Sequence, residues 1–225
     1  MARVAVAGGH SKAAPGAKGY LDEYAENRRI KDALLAEMRK RGHEATDCSN
    51  ELSPSLVEMQ KEVELANASK ADIFCAIHLN AYETTQAKRG VECWYWDGDA
   101  MGQKVAASMS AKLADLMGIP NRGAKATRDL YVIANTDMTA VLPEVCFVDS
   151  MGDTWAYQSV TTEAIASAMA DALEVGVGKV EAPEPEEPKA DDELMEVLHE
   201  IQESIDNIEA DIAEFRAVLD TIRKC

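Results

Sequence analysis

His78 and Asn80 follow an apolar segment, residues 72–77, that is rich in strand-forming side chains. Such a segment is typical of a strand that is buried on both faces of a parallel sheet. The two-residue period of a strand places His78 and Asn80 on the same side of the backbone. Because ligands bind at the carboxyl ends of strands in open α/β sheets, both side chains are candidates for chemistry.

Other ligand-type residues lie where predicted elements begin or end. A first strand, residues 3–7, ends in a glycine turn that presents His10, and a long amphipathic helix follows at about residues 20–41. The first turns of that helix carry three acids, Asp22, Glu23 and Glu26, which the helix dipole alone would also explain. Two imidazoles and one carboxylate form a set that catalytic zinc uses, with a fourth position kept for water.

Glu144 lies in an otherwise apolar predicted strand, residues 140–148. A carboxylate among apolar neighbours should not be buried without a partner or a purpose. An ion pair with a buried Arg or Lys is one explanation and a catalytic role is the other. Pro143 cannot donate a hydrogen bond to a sheet, so we expect this strand to be bulged or to lie at an edge.

Four stretches resemble the motifs of the Amidase_3 family of zinc-dependent N-acetylmuramoyl-L-alanine amidases. They are Gly8-Gly9-His10, Asp22-Glu23-Tyr24, residues 78–81 and residues 140–145, and two more stretches, residues 121–125 and 130–133, are similar to phage endolysin members. The resemblance covers about residues 1–176. The family usually has an aliphatic residue where this chain has Pro143.

The resemblance implies that His10, Glu23 and His78 bind one zinc ion and that Glu144 is the catalytic carboxylate. Only the motif alignment selects Glu23 over Asp22 and Glu26. The implied reaction is hydrolysis of the amide that joins N-acetylmuramic acid to L-alanine in peptidoglycan.

Two further residues are candidates for substrate binding. Asn80 shares the direction of His78, although a plain turn role would explain it as well. Arg128 precedes an apolar stretch and is placed to meet a carboxylate of the peptide stem, although a solvated surface Arg is the simpler explanation.

Strands and helices alternate along the chain, which predicts an α/β fold with a mainly parallel, twisted sheet of about six strands and helices on both faces. Residues 121–127 are predicted as a polar loop and residues 130–133 as a short strand. The last helix of the body is expected over residues 154–175.

The net charge of −17 argues against nucleic acid as the main partner. The charge is uneven, with about −6 on residues 1–180 and −11 on residues 181–225. We therefore expect a catalytic domain over residues 1–178, a linker rich in Pro and Glu over residues 179–192, and a helix over residues 193–225.

Apolar residues recur in that last segment at alternating spacings of four and three. They are Leu194, Leu198, Ile201, Ile205, Ile208, Ile212, Phe215, Leu219 and Ile222. This spacing predicts a coiled coil that joins copies of the chain into a homo-oligomer, and the alternative is a single helix packed on the body. Cys225 lies beyond the repeats; five cysteines without a CxxC pair do not indicate a disulfide framework.

Residues 1–7 lack the hydrophobic region of a signal peptide, and no apolar run is long enough to span a bilayer. We therefore expect synthesis in the cytoplasm and action on the cell wall after release through a pore made by another protein. That expectation favours a phage or prophage endolysin. The alternatives are a bacterial amidase for mother-cell lysis or wall remodelling, and an inactive oligomeric protein that binds the wall.

Overall fold

The structure, a computed structural model, describes residues 1–51 and 55–179 together with Gln202, Ser204, Ile205 and Ile208. The chain divides into two compact units, Met1–Ala182 and Pro183–Cys225. The predicted linker, the predicted coiled coil and Cys225 lie outside the described residues, apart from Lys179 and the four residues named above. The bounds of the three predicted segments therefore stay predictions.

Six strands form one sheet in the order β2-β1-β3-β6-β4-β5. The strands are β1 Arg3–Gly8, β2 Glu44–Asp47, β3 Ile73–Asn80, β4 Val91–Trp96, β5 Asn121–Thr127 and β6 Thr139–Phe147. The described helices are α1 Glu23–Lys40, α2 Ser55–Ser69, α3 Ala100–Met117, α4 Tyr131–Ala134, α5 Met151–Gln158 and α6 Thr162–Val177. All neighbouring strands pair in parallel except β4 and β6, which are antiparallel. The predicted α/β class and mainly parallel sheet are confirmed.

The sheet buries both of its faces, because successive side chains of its central strands point to opposite sides. In β3, Cys75 and Ile77 pack in the core with α1, α3 and α6, whereas Phe74 and Ala76 pack in a second core with α2 and α4. This arrangement explains the continuous apolar run before His78. No helix within residues 1–51 and 55–179 is long and apolar enough to cross a membrane.

Two predictions between α3 and β6 are wrong. Residues 121–127 are the edge strand β5 rather than a loop, and they pair with β4 from Val91↔Asn121 to Trp96↔Thr127. Their side chains are only half-buried or exposed, so they lack the apolar alternation of a core strand. Residues 130–133 were expected to form a strand, but Tyr131–Ala134 form a short helix that buries Val132 and Ile133. A short apolar run does not distinguish a strand from one buried helical turn.

The predicted last helix over residues 154–175 is also wrong, since α5 and α6 are separate helices. The Thr161 hydroxyl accepts a hydrogen bond from the backbone N–H of Ala164 at 3.1 Å and so begins α6 as an N-cap. Helix α1 begins at Glu23 rather than near Tyr20, because the Asp22 carboxylate accepts a hydrogen bond from the N–H of Ala25 at 3.3 Å.

Strand β6 lies inside the sheet, so an edge position for Pro143 is wrong. The expected irregularity is present, because the pairing moves from His78↔Glu144 to Asn80↔Phe147 and places one extra residue in β6.

Strand β4 runs antiparallel to β6. The amino ends of β4 and β5 therefore lie at the same edge of the sheet as the carboxyl ends of β1, β3 and β6. We call this the site edge.

Candidate active site

His10, Glu23 and His78 meet at the site edge, as the resemblance implies. One ligand atom from each lies within 4.8 Å of the other two. Glu23 Oε1 is 3.1 Å from His10 Nε2 and 3.1 Å from His78 Nδ1, and the two imidazole rings stand edge to face at 4.8 Å between centroids. We call these three residues the ligand trio.

The loop that carries His10 is held by α1. The backbone of His10 has a positive φ of 70°, which few residues other than glycine adopt. The Arg28 guanidinium donates to the carbonyls of Gly8 and His10, and the Asn27 amide donates to the carbonyl of Gly9 at 3.2 Å. These buried and half-buried hydrogen bonds hold the backbone of the His10 loop against α1.

Glu23 is buried, and both of its carboxylate oxygens accept backbone hydrogen bonds. Oε2 accepts from the N–H of Ala17 at 2.8 Å and Oε1 accepts from the N–H of Leu79 at 3.2 Å. Burial opposes its charge, but the hydrogen bonds with His10 and His78 outweigh burial and hold the pKa of Glu23 well below its usual range. For His10, burial acts to lower the pKa, and the Glu23 carboxylate raises it overall.

The donor set fits a zinc ion. Tetrahedral zinc with bonds of about 2.0–2.1 Å keeps its ligand atoms roughly 3.3 Å apart, close to the two 3.1 Å distances in the trio. Glycines pack against these donors. A Cβ at Gly9 would lie 2.1 Å from His78 Nε2, and one at Gly16 would lie 2.5 Å from Glu23 Oε2. Neither position has room for a side chain while the trio keeps its geometry.

Glu144 lies beside the trio, since it pairs with His78 on one side and with Glu92 on the other. Its Oε2 atom is buried and has no hydrogen-bond partner. Burial, reinforced by the Glu23 and Glu92 charges, raises the pKa of Glu144 to about 8. No Arg or Lys forms an ion pair with Glu144 in the part of the chain that the structure describes. An ion pair with a buried cation therefore does not explain this acid.

One cleft of about 430 Å³ connects these groups. The ligand trio, Glu144, Asn80 and Glu92 supply its polar lining, and Trp94, Leu130 and Leu142 are among its apolar walls. A buried carboxyl without a partner, placed in a cleft beside a metal-type donor set, can exchange protons with a molecule bound there.

The two predicted substrate contacts lie in different places. Asn80 lines the cleft, where its amide donates to Glu92 Oε1 at 3.0 Å and its Oδ1 accepts from the N–H of Ala81 at 2.8 Å. Arg128 pairs instead with Asp97 at 2.9 Å, follows the carboxyl end of β5 and does not line the cleft. Substrate binding by either residue stays a prediction.

Sequence reasoning did not identify Glu92, a buried carboxylate that lines the cleft and contacts both Asn80 and Arg122. The signal was available, because Glu92 stands between Val91 and Cys93 in an apolar strand, as Glu144 does in β6. Applying the same argument to both strands would have found it.

The model of the Amidase_3 family, described as N-acetylmuramoyl-L-alanine amidase, matches residues 4–175. An uncharacterised protein of Clostridium perfringens is 30% identical over 172 residues, which are 76% of this chain and 51% of that protein. The endolysin of Bacillus phage SPP1 is 38% identical over 91 residues, 38% of this chain and 32% of the endolysin. The chain thus spans about half the length, or less, of these curated relatives.

Solved structures share the fold. The catalytic domain of the CD27L endolysin targeting Clostridia difficile superposes with a TM-score of 0.70 at 27% identity, covering 80% of this chain and 98% of that domain. The catalytic domain of CwlV, an N-acetylmuramoyl-L-alanine amidase from Bacillus (Paenibacillus) polymyxa, gives a TM-score of 0.67 at 23% identity over 77% of this chain and 97% of that domain.

Proposed function

The chain belongs to the N-acetylmuramoyl-L-alanine amidase family, and from that membership we propose that it hydrolyses the amide between N-acetylmuramic acid and L-alanine in bacterial peptidoglycan. One observation carries the proposal: the ligand trio and the unpartnered Glu144 carboxyl line a single cleft. Hydrolysis of an amide needs an activated water, a stabilised oxyanion and a proton for the leaving nitrogen.

We propose that His10, Glu23 and His78 hold one zinc ion. Zinc in such a site supplies Lewis acidity, which polarises a carbonyl and makes water a nucleophile near neutral pH. Within the chain, the backbone N–H groups of Ala17 and Leu79 orient Glu23, and Arg28 and Asn27 hold the His10 loop. These contacts fix the donors in advance, so little ordering is left to ligand binding.

Glu144 is the general acid–base group of this proposal. It accepts a proton from the attacking water and delivers it to the nitrogen of the departing L-alanine. Its Oε2 atom has no hydrogen-bond partner among residues 1–51 and 55–179 that would first have to be released. Because an opposite charge nearby lowers the pKa of a carboxyl group, a cation held by the ligand trio would favour the carboxylate form of Glu144, which is the form that a base needs.

Mass spectrometry of digested peptidoglycan tests the reaction directly. We expect stem peptides with a free L-alanine amino terminus and glycan strands whose N-acetylmuramic acid keeps a free lactyl carboxyl. Cleaved glycosidic bonds, or cuts between two amino acids of the stem, would contradict the proposal.

We further propose that the protein acts on the cell wall as an endolysin, after release from the cell that makes it. The similarity to phage endolysins in both sequence and structure supports this. A holin gene next to the gene for this chain is the expected finding. A sporulation operon around it would instead favour the mother-cell-lysis alternative.

The heptad spacing of residues 194–222 supports a last proposal, that the carboxyl-terminal segment joins copies of the chain into an oligomer. Two apolar heptad positions, Ile205 and Ile208, are 44% and 58% exposed in the single chain. Oligomerisation would bring several catalytic domains to one polymeric substrate and increase avidity. Light scattering at micromolar concentration should give a multiple of the 24.4 kDa chain mass, and a monomeric mass would contradict the proposal.

A further inference from the structure

A second cavity of about 290 Å³ opens beside the cleft, and the mechanism above does not use it. Its lining includes Asn80, Tyr82, Arg89, Glu92, Arg122 and Phe147. Asn80, Ala81 and Glu92 line both spaces, so the two are continuous along the site edge. A molecule whose amide lies at Glu144 can therefore extend into the second cavity.

Two arginines converge on this cavity over one buried aromatic ring. The guanidinium carbons of Arg89 and Arg122 lie 5.5 Å and 5.1 Å from the ring centroid of Phe147, and that of Arg89 also lies 5.0 Å from the Tyr82 ring. Stacking on aromatic rings holds a planar guanidinium in place while its N–H groups remain available at the ring edge.

The charges of the two arginines are unevenly compensated. Arg122 donates through Nε to Glu92 at 2.7 Å. Arg89 donates through Nη2 to the carbonyl of Glu83 at 3.1 Å, and no acidic side chain pairs with Arg89 among residues 1–51 and 55–179. A cation without an acidic partner is unexpected in a chain of net charge −17. The cavity thus carries excess positive charge in an acidic protein.

We propose that Arg89 and Arg122 bind the free α-carboxylate of the second stem residue, a γ-linked glutamate, and so determine which peptidoglycan is accepted. This inference rests on the proposed function, because the leaving L-alanine carries that residue next along the stem. A γ-linked glutamate presents its α-carboxylate one residue from the scissile amide, which matches a cavity adjoining the cleft. Guanidinium groups bind carboxylates in a planar, two-pronged geometry that a neutral carboxamide cannot reproduce.

The test compares two synthetic substrates, N-acetylmuramoyl-L-alanyl-D-glutamate whose γ-carboxyl is blocked as a methylamide, in place of the γ-linkage of the stem, and the same compound with the α-carboxylate also converted to a carboxamide. We expect the wild type to cleave the acid with a kcat/KM about 10- to 100-fold higher than the amide. Arg89→Gln should reduce this preference to about twofold or less, chiefly through a raised KM for the acid.

Arg122→Lys keeps a positive charge beside Glu92 but removes the planar fork, so it should reduce the preference while the protein stays folded. The matched control for Arg89→Gln is Lys104→Gln on the exposed side of α3, which also removes one positive charge and should leave the preference intact.

Binding of the dipeptide L-alanyl-D-glutamate with its γ-carboxyl blocked as a methylamide, measured by calorimetry, gives a second readout that does not depend on turnover. We expect Arg89→Gln to weaken it about tenfold or more, and to leave the weaker binding of the amide form unchanged. Equal binding of acid and amide by the wild type, or equal losses for both in Arg89→Gln, would overturn the inference. Failure of the proposed function would be seen separately, as a wild type that releases no L-alanine termini from whole peptidoglycan.

Discussion

The two halves of the sheet supply the site in different ways. In the half formed by β2, β1 and β3, all strands are parallel, and the histidines of the ligand trio lie where β1 and β3 end. In the half formed by β6, β4 and β5, the direction reverses at the β6–β4 pair. There the amino ends of β4 and β5 reach the site edge and bring Glu92 and Arg122 with them.

The difference shows how far the rule on strand ends can be trusted. That rule places ligands at carboxyl ends, and His10 and His78 do lie together at the ends of β1 and β3. Applied to β5 it selects Arg128, which lies at the opposite edge of the sheet and pairs with Asp97. The parallel half therefore supplies the two histidines of the ligand trio, and the reversed half supplies the acids and arginines that would face the substrate.

The largest expected effect on the reaction rate is at Glu144, in the reversed half. Glu144→Gln should lower kcat by about 10²- to 10⁴-fold, because the amide has no proton to accept or return, and should leave zinc content unchanged. Release of new amino termini from cell walls measures the rate, and elemental analysis measures the metal. Glu163→Gln, an exposed acid at the start of α6, is the matched control. Near-normal turnover by Glu144→Gln would refute its role.

The opposite pattern is expected from the parallel half. His10→Ala or His78→Ala should weaken zinc binding by more than about 100-fold, since even the loss of residues that only support metal ligands costs 10- to 100-fold. Zinc per chain after dialysis is the measurement. His43→Ala is the control for instability, because this buried histidine bonds Glu174 at 3.3 Å and lies outside the cleft. If His43→Ala lost zinc equally, the effect would be unfolding rather than ligand loss.

A glycine pair sharpens the comparison within the parallel half. Gly16 and Gly118 both have a positive φ, 75° and 62°, so alanine costs about 1–2 kcal/mol of stability at either position. A Cβ at Gly16 would also meet Glu23 and His10 within 2.5 Å, whereas at Gly118 it would meet nothing within 4 Å. Gly16→Ala should therefore lose zinc affinity and Gly118→Ala should not. Equal zinc affinity in the two variants would show that the trio tolerates displacement.

The smallest expected effect lies at the far edge of the sheet. Burial opposes the charge of Asp47 in β2, but the Lys31 ammonium, 2.6 Å away, lowers the pKa of Asp47 overall. Its stabilisation is present above the ordinary pKa of about 4 and is lost as pH falls through the lowered value. Asp47→Asn should thus cost under about 1 kcal/mol at pH 7, and the difference in unfolding free energy should shrink as the pH falls below about 4. Activity should not change, with Asp32→Asn as the more exposed control.

Much of the fold could be predicted because local patterns and tertiary structure agree. The apolar run before His78 predicted strand β3, and the amphipathic stretch at about residues 20–41 predicted helix α1. The failures share one cause: β5, α4 and the break between α5 and α6 are short or partly exposed, so little periodic signal marks them. Pairing with β4 gives β5 its strand conformation, and a single sequence does not reveal pairing.

The chain by itself determined the kinds of atoms available for the chemistry. Two histidines after apolar strands, acids at a helix start and a carboxylate in an apolar strand indicated a zinc-type site, because side-chain chemistry and strand period are local properties. Side-chain chemistry and strand period left the choice among the acids of the first helix turn open; the tertiary structure places Glu23 against the histidines and brings Glu92, Arg89 and Arg122 to the same edge. Strand direction follows from packing among distant segments, and no local pattern encodes it.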